Sequence, residues 1–236
     1  MPTWRQTLEM IRASRAGMPL GDLAVMKFDM LWHPPQEQQD RLRSHSNPCL
    51  DIDMNALRAL PDGTVGREYA RHLDENGLKQ LTVSPAMKER YADKPYALRY
   101  TTTHDLFHVL TGFSTMPAGE IGLYAFMIAQ GFADGSRQRL WSSAAAYIAF
   151  APTHAPGILH NIKVGTEMGK KAKPLLEQPL ETYLAEPIDA VRKRLGIPDP
   201  ASAGIARGRQ SAVFKWLIPK LMPKERPNTT AALGAT

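Results

Sequence analysis

Residues 101–120 read TTTHDLFHVLTGFSTMPAGE. Three ionisable side chains, His104, Asp105 and His108, stand within five positions, and Glu120 follows after eleven uncharged residues. Positions four apart on a helix share a face one turn apart. Two imidazoles so placed can bind one metal ion. Asp105 is rotated by about 100° from His104, where it can bind the metal, orient a histidine or serve as a base. On a continuous helix Glu120 would lie about 18 Å beyond His108. Gly112 and Pro117 predict a reversal instead. Two antiparallel helices joined by a short loop would bring Glu120 back beside His108. Two nitrogens with one or two carboxylate oxygens suit Zn²⁺, Fe²⁺ or Mn²⁺, with positions left for water or substrate.

Plainer roles exist for each residue. Thr102 to Asp105 fits the capping-box pattern, so Asp105 can simply cap a helix start. Glu120 falls in the first turns of a helix, where the macrodipole favours a carboxylate. A single histidine is more often a hydrogen-bonded core or surface residue than a ligand. Against these stands the apolar company of Leu106, Phe107, Val109 and Leu110. Ionisable groups buried beside such surface need partners, and a cation is one.

Helical spacing extends outward in both directions. Trp4, Leu8 and Ile11 recur at helix intervals, as do Leu23, Met26, Met30 and Leu31, and His33-Pro34-Pro35 ends that run. Pro61-Asp62-Gly63-Thr64 is a turn, with Thr64 as N-cap of a helix that Asn76-Gly77 closes. The spacing predicts helices over roughly 96–110, then from a Ser114 or Thr115 cap with Pro117 at its start to about 132. Further helices are expected over 139–150, 157–171 and 180–195, with Pro187 as a start or kink. Few stretches alternate with period two, and there is no Gly-rich phosphate loop. The expectation is an all-α fold: a single helical domain over residues 1–200, with the metal site between two antiparallel helices and a basic, apolar tail over 201–236.

The totals agree with a folded domain. The chain has 236 residues, 43% of them hydrophobic and 22% charged, enough for a real core. Its one cysteine, Cys49, excludes an internal disulfide. The N-terminal stretch carries Arg5, Glu9, Arg12 and Arg15 where a signal peptide needs an apolar region, and reads as a plain helix. No apolar run is long enough to span a bilayer.

The net charge of +6 is uneven. Residues 1–159 hold 16 basic and 16 acidic side chains, residues 160–236 hold 13 and 7. The excess points to an anionic surface. Residues 207–224, RGRQSAVFKWLIPKLMPK, contain no acid and interleave aromatic and aliphatic residues with lysines, which suits an anionic membrane interface. No nucleic-acid-binding motif is present, so nucleic acid is not an expected partner.

The pattern H-D-x-x-H, eleven residues, then Glu resembles the signature of the coenzyme Q (ubiquinone) biosynthesis protein four family. The segment 61–73, PDGTVGREYARHL, resembles the family's sequence upstream of that signature, and AKPLL at 172–176 and RKRLGI at 192–197 resemble its C-terminal part. The likeness covers roughly residues 55–197. It implies a helical protein at the membrane face where ubiquinone is made, cytoplasmic and peripheral at the inner membrane, or on the matrix side of the mitochondrial inner membrane in a eukaryote. It implies a divalent cation, zinc first, with iron, manganese or magnesium as alternatives, at His104, Asp105, His108 and Glu120. A prenylated aromatic quinone precursor and the other ubiquinone biosynthesis enzymes are the implied partners; a second copy of the chain is a further candidate partner. The activity implied is removal of the ring carboxylate at C1 with hydroxylation of that carbon.

Two other functions remain open: a non-catalytic lipid-binding scaffold, and an HD-type metallohydrolase, for which His72 and Asp134 are candidate further ligands. Arg99 and Tyr100 are candidates for an anionic substrate group, against a simple surface position. The apolar helices at 121–128 and 141–150 are either core or the lining of a prenyl-tail channel.

Overall fold

The computed structural model describes residues 4–43, 48–132 and 136–207. Those residues form eleven α-helices: α1 (Trp4–Arg15), α2 (Leu20–Leu31), α3 (Gln36–Arg43), α4 (Met54–Arg58), α5 (Val65–Asn76), α6 (Pro85–Arg90), α7 (Pro95–Thr111), α8 (Pro117–Ala129), α9 (Ser136–Phe150), α10 (Ala155–Lys171) and α11 (Ile188–Leu195). Short 3-10 turns occupy Pro152–His154, Leu175–Glu177 and Leu180–Tyr183. No strand occurs among the described residues, and the expected single all-α domain is what forms. The apolar basic stretch after Arg207, and Asp134, lie outside the described residues.

α7 is the axis of the fold. Every one of its residues is buried except His104 and Asp105. α2, α3, α5 and the turn at Leu175–Glu177 pack around it. A helix enclosed on all sides should be apolar, yet this one carries Thr101, Thr102, Thr103 and Thr111. Each threonine hydroxyl donates to a carbonyl of the preceding turn: Thr101 to Ala97 at 2.8 Å, Thr103 to Arg99 at 2.7 Å and Thr111 to Phe107 at 2.6 Å. Thr102 does so towards Leu98 at 3.2 Å, and its oxygen also accepts from the Leu50 amide at 2.9 Å. Thr102 is therefore an interior residue that pins the loop before α4, and not the start of a capping box. Thr102→Val should leave that buried amide without an acceptor. We expect a loss of about 1–3 kcal/mol, read as a lower urea midpoint at unchanged slope.

Arg99 is 1% exposed and donates to the Leu176 and Gln178 carbonyls and to Glu181. Tyr100 is wedged between Phe28 and Trp32, with ring centroids at 4.5 and 4.6 Å. Both expectations for these residues, surface position and substrate contact, give way to a structural role. The guanidinium ties α7 to the segment after α10.

Gly112 ends α7 at φ 81°, a left-handed conformation that costs glycine little. Arg192 of α11 donates to the terminal carbonyls of α7, Val109 and Leu110, at 2.9 and 3.0 Å. α8 then starts with Pro117 in its first turn as expected, but its N-cap is Met116, with no side-chain cap from Ser114 or Thr115. α8 packs mainly along α10 and only slightly on α7. A Cβ at Gly165 would stand 2.1 Å from the Gly122 carbonyl oxygen, and one at Gly169 would stand 2.4 Å from that of Phe126. Glycines at these positions let the two helices approach backbone to backbone. Thus Glu120 is returned to His108 by the corner itself, not by a helix pair packed along its length.

Of the two helices proposed as either core or a tail channel, α8 is core, whereas α9 lies largely at the surface, with Leu140 and Ala144 buried and Trp141 48% exposed. Leu123, Phe126 and Met127 face the main cluster around α7. Ile121 and Ala125 join Leu140, Ala144, Ile158 and Ile162 in a smaller one between α8, α9 and α10. The expected helix over 180–195 is interrupted, with Pro187 as the N-cap of α11. α3, α4 and α6 span only eight, five and six residues, too short for periodicity to reveal. Beyond α11 the chain stays attached past residue 201: Ala206 and Asn161 exchange two hydrogen bonds, at 2.8 and 3.0 Å.

Candidate functional site

His104 and His108 sit one turn apart on α7, their ring centroids 4.8 Å apart and nearly perpendicular. Glu120, in the first turn of α8, reaches both. One carboxylate oxygen is 3.4 Å from Nε2 of His108, and the other is 3.8 Å from Nε2 of His104. One donor atom from each of the three residues lies within 4.8 Å of the other two. Ligands around a tetrahedral Zn²⁺ stand about 3.4 Å apart at ordinary bond lengths, so a small tightening would close the set.

The tautomer of His108 is set by its partner. Nδ1 lies 2.9 Å from the Phe113 carbonyl oxygen, which can only accept. Nδ1 therefore carries a proton, and in the neutral ring Nε2 presents its lone pair toward Glu120. That Nε2 is buried and has no hydrogen-bond partner; its 3.4 Å approach to Glu120 is a charge contact without hydrogen-bond geometry. A buried nitrogen left unpartnered beside a second imidazole and a carboxylate is what a divalent cation would satisfy. The residues present fit the group.

Asp105 stands behind His104, with its oxygen 3.3 Å from Nδ1. It lies outside the three-residue cluster. Its position is that of a carboxylate that orients an imidazole from the far side. Burial opposes its charge, and the hydrogen bond and charges of the neighbouring histidines outweigh that, holding it below the usual carboxylate range. For Glu120, too, burial opposes the charge, and the attraction of His108 first and His104 after it outweighs that and lowers its pKa. It keeps 36% of its side-chain surface open although densely surrounded, so solvent screens part of that attraction. It is also the open side of the site. For His108, burial disfavours the cation, but Glu120 and the Phe113 carbonyl prevail and raise the pKa.

Three neighbours escaped the sequence reading or were weighed only for another role. His72 of α5 stacks on His108, with centroids at 5.9 Å and planes 14° apart, and its Nε2 is also buried without a partner. Burial, followed by the nearby His108, lowers its pKa and keeps it neutral. His72 and His108 line a cavity of about 350 Å³ with Glu68, Arg71 and Arg192. Phe28 of α2 stacks on His104 at 6.2 Å. Lys27 places its ammonium 4.8 Å from the centroid of that Phe28 ring, within the electrostatic reach of Glu120. No motif could connect Lys27 and Phe28 to a site some eighty residues on; only the packing of α2 against α7 does so.

The same geometry would set how loading by a cation depends on pH. A cation must displace the proton that Glu120 favours on His108. Apparent Zn²⁺ affinity should therefore fall about tenfold per pH unit once the pH drops below the raised pKa. Without the cation, the raised His108 contributes stability that is full below its unfolded value and is lost as pH rises through the folded one. Competition with a chromophoric chelator across neutral pH measures the first effect, and a flat profile would count against His108 as a ligand.

No helix among the described residues is long and apolar enough to cross a membrane. The family described as "Coenzyme Q (ubiquinone) biosynthesis protein Coq4" matches residues 23–201. A relative from Nematostella vectensis, named "Ubiquinone biosynthesis protein COQ4 homolog, mitochondrial", is 31% identical over 73% of this chain and 81% of its own length. One from Pyricularia oryzae, "Ubiquinone biosynthesis protein COQ4, mitochondrial", is 30% identical over 73% of this chain and 55% of its own, so the chain spans about half of that longer protein. A crystal structure from Nostoc punctiforme superposes with a TM-score of 0.57 at 23% identity, covering 83% of this chain and 96% of that one, and so shares the fold. The extent of these matches, with a corner that joins a paired-histidine helix to a glutamate, makes this chain a member of the Coq4 family of ubiquinone biosynthesis proteins.

Proposed function

We propose that this chain works in ubiquinone biosynthesis as a metal-dependent enzyme. It replaces the C1 carboxylate of a prenylated 4-hydroxybenzoate-type acid with a hydroxyl, a two-electron oxidation in which the acid, dioxygen and water give the phenol, carbon dioxide and hydrogen peroxide. The observation that carries the reading is the unpartnered, buried Nε2 of His108 facing Glu120 beside the Nε2 of His104. His104, His108 and Glu120 would hold the cation and Asp105 would orient His104. When bound, the ion supplies Lewis-acid stabilisation of negative charge on the ring substituents.

The protein's own groups have separable tasks. Phe113, through its carbonyl, keeps the proton of His108 on Nδ1. Phe28 and Tyr100 wall one side of His104 with aromatic surface and limit water there. Lys27, whose pKa burial lowers and Glu120 partly restores, is placed to meet the carboxylate of an acidic ring. The partly open Glu120 side is where such a substrate would arrive.

The test is conversion by purified, metal-loaded protein of a short-tailed 3-prenyl-4-hydroxybenzoate, followed by mass spectrometry for loss of CO₂ and gain of one oxygen. His104→Ala should lose the product. If metal-free variants still support full quinone output in cells, the chain is a scaffold for the other enzymes and the catalytic reading fails.

A further inference from the structure

α1 turns its apolar stripe to solvent. Trp4, Leu8 and Ile11 are 69, 39 and 39% exposed, and no residue of α1 is buried. The opposite face is the one that touches the body. Met10 and Ala13 pack against the core, and Glu9 receives Arg90 at 2.8 Å. A helix held only by burial of its own apolar face would dock the other way round.

The charges on α1 are arranged about that stripe. At about 100° per residue, Arg15 projects along it, and Arg5 and Arg12 line one flank. The Arg5 guanidinium lies 5.7 Å from the Trp4 ring centroid. Glu9 is the only acid of the helix, and Arg90 neutralises it. What remains is an outward strip of one tryptophan and two aliphatics bordered by arginines that have no ion pair among the described residues. An apolar protein partner would not call for three cations around its rim; phospholipid headgroups would.

We propose that α1 is a membrane-surface anchor. Trp4, Leu8 and Ile11 dip into the headgroup–acyl boundary of an anionic bilayer, while Arg5, Arg12 and Arg15 engage lipid phosphates. The helix precedes residues 23–201, the part matched by the family model. α1 packs on α2, which carries Lys27 and Phe28 beside the His–Glu cluster. Anchor and site thus share one helix, although the anchor needs neither the cation nor any catalytic step.

Flotation of the full chain with vesicles tests this directly. Wild-type protein should float with phosphatidylcholine vesicles containing about 30% phosphatidylglycerol and much less with phosphatidylcholine alone. W4E/L8E/I11E should abolish flotation. R5Q/R12Q/R15Q should weaken it on anionic vesicles by roughly fivefold per charge removed. All six positions are exposed, so both variants should melt like wild type. Wild-type flotation by W4E/L8E/I11E would overturn the proposal, because another surface would then carry the binding. So would a wild-type dimer by light scattering that this variant dissociates, with no flotation, because a second copy would then cover the stripe. Cation-depleted wild type should float unchanged, which separates this test from the catalytic one.

Discussion

Glu120→Gln is expected to empty the cation site and leave the fold intact. The substitution keeps volume and removes the carboxylate whose two oxygens stand 3.4 Å from Nε2 of His108 and 3.8 Å from Nε2 of His104. A neutral amide is a poor ligand for Zn²⁺ or Fe²⁺ compared with a carboxylate. Losing an outer-shell partner of a metal ligand already costs 10–100-fold in affinity or activity. Loss of a direct ligand should cost at least about 100-fold in affinity, and product formation should fall to background. Because Glu120 is partly open to solvent, the melting temperature of the cation-free protein should stay close to wild type. Elemental analysis of the purified variant against wild type decides the matter. Equal metal content in the two would remove Glu120 from the ligand set, and with it the corner as a metal site.

Gly165→Val should damage the fold more than any surface change. The new Cβ would sit 2.1 Å from the Gly122 carbonyl oxygen and 3.2 Å from the Phe126 amide. These are backbone atoms, so no rotamer relieves the clash, and α10 must move off α8. Overpacking of this kind costs about 3 kcal/mol or more. At roughly 2–4 °C per kcal/mol for a chain of this size, the melting temperature should fall by roughly 6–12 °C. Since α8 carries Glu120, metal affinity should fall with it. An unchanged melting curve would mean that the α8–α10 contact is not the rigid support that positions the corner. Gly165→Ala should show the same sign at smaller size.

Much of this could be read before any fold was known, and the reasons are local. Thr64 caps α5 and Gly77 ends it in a left-handed conformation, because cap chemistry acts within one turn of chain. Gly112 and Pro117 bound α7 and α8 for the same reason. The capping-box reading of Thr102 to Asp105 failed because it weighed a local pattern against nothing else. The competing force was burial of α7 on every side, with each threonine hydroxyl satisfied by its own helix. The short helices α3, α4 and α6 left no periodic trace.

By itself, the sequence settled the helical class, the paired spacing of His104 and His108, and the sharp break that must follow. All three arise from backbone geometry over a few residues. Tertiary structure alone decided that Glu120 meets both imidazoles while Asp105 stands behind one of them. It also decided that Arg99 is a buried tie, that Lys27, Phe28 and His72 surround the cluster, and that α1 shows its apolar side to solvent. Those outcomes depend on which helix packs against which, here through glycine contacts between α8 and α10 and aromatic contacts between α2 and α7. Such long-range choices leave no periodic mark in the chain.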